Sequence, residues 1–199
     1  MKTIHFNHTL LKQEISCLQE LIGKDLCGIE SDSISIEPSH PEKWMFHKWV
    51  EFLNWNDNRI QRLEYSFNET YCGNDFIELR IESLEKERKA LNADIRFAGK
   101  DNFTIQKIET FGYDSEYLTI NICGDLPKAE LKSNEPYNEK ITLENAMLIY
   151  GTNGKRIWIE CQYSMLGLIV TMDEVYIQSR LSEHELKCNA KMTLKREIK

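Results

Sequence analysis

The dipeptide Asn153-Gly154 stands between two of the most apolar runs in the chain, Ala146–Tyr150 and Ile157–Cys161. Asn-Gly in that setting predicts a two-residue type I′ hairpin turn, because both central residues need positive φ and the turn's twist matches that of paired strands. The turn carries a register with it. Thr152 faces Lys155, Tyr150 faces Ile157, Leu148 faces Ile159 and Ala146 faces Cys161. Side chains alternate along a strand, so the last three pairs share one sheet face, while Ile149–Trp158 and Met147–Glu160 share the other. A third apolar run, Leu166 to Met172, follows. Strands apolar on both sides belong inside a sheet that is covered on both faces, which makes residues 146 to 177 the expected centre of the fold.

The flanking sequence divides into helical and strand periodicities. From His8 to Ile22, the spacing of Leu10, Leu11, Ile15, Leu18, Leu21 and Ile22 predicts an amphipathic helix, with Asn7 or Thr9 at its start and Gly23 at its end. Leu26–Ile29 and Ser33–Ile36 read as a strand pair or as a strand and an extended loop. Glu42–Trp55 holds three of the four tryptophans and fits either periodicity; it reads as a strand breaking into irregular structure. Clean alternation over Asp57–Phe67 and Asn74–Ser83 predicts a meander with one wet face. Leu84–Asp94, rich in charged helix formers, predicts a short exposed helix, with a long hairpin as the rival. Strands follow at Phe103–Thr110 and Tyr117–Cys123, joined by a turn through Tyr113, Asp114 and Glu116. Gly124–Lys140, with Pro127 and Pro136, is the longest expected loop. Ser179–Cys188 suits a short helix, and Met192–Lys199 an edge strand or a basic tail. The sum is an α+β fold: a mainly antiparallel β-sheet, an N-terminal amphipathic helix packed on it, and one or two short helices. No Pro/Gly/Ser-rich linker divides the chain, so residues 1–199 are expected to form a single globular domain.

Charge and motifs narrow the chemistry. A net charge of −7 disfavours a general nucleic-acid binder, which needs a basic surface, and favours encounter with basic partners. The N-terminus lacks the apolar core of a signal peptide, and no stretch approaches the ~18 apolar residues that span a bilayer, so a cytoplasmic protein without a membrane role is expected. The Asn-x-Ser/Thr matches at Asn7, Asn68 and Asn102 are then unmodified. The six cysteines are scattered with no Cys-x-x-Cys pair, as buried free thiols would be. His184 and Cys188, at i and i+4, are two ligands where a structural zinc takes four, so neither metal nor cofactor is expected. Glu78 and Glu82 flank Arg80 as a surface charge ladder would, since the arginine keeps both ionised. No phosphate loop, dinucleotide fingerprint, nucleophile elbow or zinc-protease motif occurs.

These residues point first to a non-enzymatic binding protein, of inhibitor or immunity type, for a basic protein partner. The expected contact residues are the clustered aromatics Trp44 and Trp49 and the aromatic-acidic turn Tyr113, Asp114 and Glu116. The alternatives are an enzyme or small-ligand binder with an aromatic-lined pocket, and a subunit whose strand edges pair between copies.

Overall fold

Alternating and β-branched residues dominate the chain, and they form strands nearly throughout. A computed structural model describes residues 2–31, 33–37, 40–54, 59–69, 75–85, 93–96, 103–119, 137–162, 167–182 and 192–199. Among these residues the strands are β1 (Lys2–His8), β2 (Asp25–Ser31), β3 (Ile34–Glu37), β4 (His40–Phe46), β5 (Trp49–Asn54), β6 (Arg59–Glu69), β7 (Asp75–Glu85) and β8 (Ala93–Arg96). There follow β9 (Phe103–Gly112), β10 (Asp114–Thr119), β11 (Tyr137–Leu143), β12 (Ala146–Gly151), β13 (Arg156–Gln162), β14 (Gly167–Thr171) and β15 (Thr193–Ile198). Two short helices, α1 (Lys12–Gln19) and α2 (Glu174–Ser182), complete the described elements, and neither is long and apolar enough to cross a membrane. The architecture is therefore mostly β, which corrects the expected α+β class.

The large sheet runs β3-β4-β14-β13-β12-β9-β2-β5-β6-β7, with β15 also on β9 and β8 also on β2. The link between β9 and β2 is only two residue pairs long, and there the sheet folds over so that β13 and β14 approach β5, β6 and β7. Ile149, Ile157 and Val170 from one half meet Val50, Leu63 and Leu79 from the other in a single core, as in a sandwich of two packed layers. A smaller sheet, β1-β11-β10, turns Phe6, Ile141 and Leu143 onto Phe76 of β7.

The N-terminal helix is the first element to depart from expectation. His8 ends a strand parallel to β11, and α1 has only eight residues. Leu10 and Leu11 keep helical spacing, but Leu10 N–H is held at 2.6 Å by Glu144 and Leu11 N–H at 2.6 Å by Glu14, so the helix begins at Lys12. Leu10, Leu18 and Leu21 still bury into the core. What α1 covers is an edge: its Glu14 carboxylate accepts from Ile81 N at 3.4 Å, and Glu144 O accepts from Leu79 N at 3.1 Å, which satisfies outward groups of β7.

The hairpin forms at the expected place but one residue out of register. Ile149 faces Ile157, Met147 faces Ile159, Leu148 faces Trp158 and Ala146 faces Glu160. The loop contains Thr152 as well as Asn153 and Gly154. Gly151 N bonds Lys155 O at 2.9 Å, Gly154 N bonds Gly151 O at 3.1 Å, and Gly154 takes φ 79°. These are the marks of a three-residue loop with a β-turn followed by a left-handed glycine. The slip changes the faces of β13 relative to β12. Isoleucine now pairs with isoleucine or methionine in the main core, and Glu160 falls on the opposite face. There Trp158, Gln162, Tyr176 and Arg180 bond its carboxylate at 2.7–2.9 Å.

Other boundaries move for similar reasons. β4 ends at Phe46, the chain bends over His47 and Lys48, and β5 resumes as strand. Leu84 and Glu85 close β7, and Ala93 and Asp94 open β8, so strand replaces helix at both ends of 84–94; residues 86–92 lie outside the described residues. The expected turn at Tyr113–Glu116 is strand from Asp114 onward. The second helix starts at Glu174, because Asp173 Oδ1 accepts from Val175 N and Tyr176 N at 2.8 and 3.2 Å. His184 and Cys188 lie outside the described residues, as do 120–123 of the expected strand and 124–136 of the expected loop, whose last residues open β11 instead. The last residues form an edge strand rather than a tail.

Two glycines separate backbone strain from crowding. A Cβ on Gly154 meets nothing within 4 Å, whereas one on Gly112 falls 1.7 Å from Leu143 O. Gly154→Ala is expected to cost about 1 kcal/mol, from its positive φ alone. Gly112→Ala, which must push two strands apart, is expected to cost at least about 3 kcal/mol. Urea unfolding of both variants checks this, and equal midpoints would contradict it.

Candidate functional site

The β2-β5-β6-β7 layer buries one set of alternate side chains and turns the other set outward. Leu63, Tyr65, Leu79 and Ile81 face the core, so Arg62, Glu64, Arg80 and Glu82 face away from it. Pairing across strands arranges the outward residues in rows. One row runs Glu30, Glu51, Arg62, Glu82; the next runs Trp49, Glu64, Arg80. Glu30 and Glu51 are thus directly opposite one another in the ladder.

Arginines on this face are few among the described side chains. Arg62 donates from Nε and Nη2 to Glu51 Oε1 at 2.9 and 2.5 Å, and its guanidinium lies 4.6 Å over the Trp49 ring. Its Nη1 is 3.8 Å from the half-exposed Glu82, beyond hydrogen-bond length. Arg80, directly opposite Glu64, turns away to Glu78 at 2.7 Å and Glu14 at 3.2 Å. Glu64 is left exposed beside Trp49, with no partner among the described residues.

A second polar group lies where β1, α1 and β7 meet. Glu78 is 2 % exposed, and its Oε1 accepts from Asn68 at 2.6 Å and from Arg80. His8 Nδ1 sits 2.8 Å from Glu78 Oε2 but out of line for a hydrogen bond, and the imidazole is 4.4 Å from the Phe76 ring. Glu78 is therefore not part of a surface ladder with Glu82, as alternation alone suggested. A carboxylate against an imidazole is the arrangement of a general base. The half-buried Cys161 thiol, which feels Glu78, is no matching nucleophile. Burial, and then the charges of Glu160 and Glu78, push it well above the ordinary thiol range, so it stays protonated. Among the described residues no group of three His, Cys, Asp or Glu side chains is placed to hold a metal ion.

The five residues expected to bind a partner do not form one surface. Trp44, on β4 between Ile36 and Val170, packs against the core. Trp49 is half-buried on the acidic face just described. Tyr113 turns inward to Phe6, Phe76 and Ile141. Asp114 and Glu116 are exposed on the opposite side of the small sheet, where Asp114 meets Lys195 at 2.9 Å and Thr142 at 2.7 Å, and Glu116 accepts from Asn138 at 3.2 Å. The acidic pair that sequence singled out is thus partly matched within the chain. Glu30, Glu51 and Glu64 were missed, because the cross-strand rows that gather them exist only once β2, β5 and β6 pair. No protein-family model, no curated protein and no solved structure matches the chain.

Partial burial alone raises the Asp114 carboxyl. The hydrogen bonds from Lys195 and Thr142 and the charges of Lys195 and Lys140 outweigh this and hold it below the usual carboxylate range. A depressed folded pKa gives stability that is present above the unfolded value and lost as pH falls through the folded one. The stability difference between the native chain and Asp114→Asn is therefore expected to be constant near neutrality and to shrink as pH falls below about 4. It should also shrink with added salt, since the pair is exposed. Urea titrations from pH 7 to pH 2 check this, and a difference that grows toward low pH would contradict it.

Proposed function

We propose that the chain is a non-enzymatic, soluble cytoplasmic binding protein of inhibitor or immunity type, which takes a basic protein partner on the outward face of β5, β6 and β7. The observation that carries this reading is Glu64, exposed beside Trp49 with no partner among the described residues, on the same face as the half-exposed Glu82. Cations delivered by a partner neutralise these carboxylates, steer the encounter and make it sensitive to salt. Trp49 adds a large, partly exposed aromatic surface of the kind that anchors interfaces. Catalysis is the second reading, favoured by the contact of His8 with the buried Glu78. It lacks a nucleophile in Cys161, and no substrate class follows from it.

Glu64 and Glu82 are both exposed, so reversing their charge leaves the core intact. Immobilised native protein is expected to retain a stoichiometric basic partner from its own cell extract at low salt. The Glu64→Lys/Glu82→Lys variant is expected to bind that partner at least about tenfold more weakly, chiefly through slower association. Retention by the variant equal to that by the native chain, or no stoichiometric partner across several growth conditions, would count against the proposal.

A further inference from the structure

Resting on that reading, we propose that Trp49 and Glu51 form a receptor for a guanidinium group, that Arg62 fills it in the free protein, and that an arginine of the partner replaces Arg62, which moves to Glu82. The chemistry of the site is specific to a planar cation. The Trp49 ring supplies a face 4.6 Å from the resident guanidinium carbon, and Glu51 takes two N–H groups on one oxygen. Stacking and a forked hydrogen bond together suit arginine and not the compact ammonium of lysine. Glu51 is 4 % exposed, so an empty receptor leaves a buried charge uncompensated, and some cation must always sit there.

The geometry also gives Arg62 somewhere to go. Glu82 lies directly opposite it across the β6–β7 ladder, 3.8 Å from Nη1, a contact ready to shorten to a hydrogen bond. Glu64, two residues along the same strand and on the same face, has no partner among the described residues. One guanidinium leaves Glu51 as another arrives, and the displaced one moves to exposed carboxylates that need it. Charge is conserved at the buried site throughout.

Isothermal titration with a short peptide of alternating arginine and serine, and with its lysine counterpart, tests this. On the native chain the arginine peptide is expected to bind about tenfold tighter than the lysine peptide. That preference is expected to fall within about twofold in Trp49→Leu, while Arg62→Met, with no resident group to displace, binds the arginine peptide tighter than the native chain does. Should Trp49→Leu not fold, Arg62→Met decides alone, and affinity unchanged or weakened there overturns the receptor. Equal affinity for both peptides on the native chain, abolished by Glu64→Lys/Glu82→Lys, would overturn the receptor and leave the acidic binding face standing. No binding of either peptide at low salt would remove both.

Discussion

A carboxylate that leaves water must be met by donors from the protein, or it costs several kcal/mol, and Glu144 obeys that constraint at the point where the whole fold is joined. It is fully buried. Its oxygens accept from Leu10 N at 2.6 Å, Thr110 at 2.6 Å and Arg196 at 2.9 Å, so the entry to α1, the end of β9 and the C-terminal strand must all be in place together. Its backbone adds two more ties, from N to His8 O and from Leu79 N to O. The smaller sheet, the capped edge of β7 and the last strand therefore converge on one residue. Glu160 does the same on the far side of the hairpin, where it holds α2 through Tyr176 and Arg180.

This internal demand for cations shapes the surface. Arg80, Arg180 and Arg196 are committed to buried glutamates. The clearest consequence is at Glu64, whose cross-strand neighbour Arg80 is pulled toward Glu14 and Glu78. An acidic outward face is thus the other side of a core that has drawn its arginines in. Arg62 stays on that face, stacked on Trp49 and bonded to the buried Glu51. The proposed binding face and the stability of the sheet meet in that residue.

Much of the strand framework was legible in side-chain alternation. Leu63, Leu79 and Ile81 announce their buried face in β6 and β7, and the hairpin around Asn153 lies where its turn residues place it. The register was not legible, because Thr152 can stand inside or outside the loop and only the burial of Glu160 distinguishes the two. The candidate site was legible in one residue, Trp49. Tyr113 and Asp114 read as neighbours on a turn, yet Tyr113 joins β9 to β10 facing the core while Asp114 opens β10 facing solvent.

By itself, then, the sequence determined that this chain is built of strands meeting in an apolar centre, since a period-two pattern of isoleucine, leucine and valine has no other efficient way to leave water. Tertiary structure decided which glutamates are buried, which arginines they capture and which carboxylates are left facing outward. Those outcomes depend on pairings between residues as far apart as Leu10 and Glu144 or Arg80 and Glu14. Local periodicity carries no information about them, because a charge is satisfied by whatever the completed fold brings within hydrogen-bond reach.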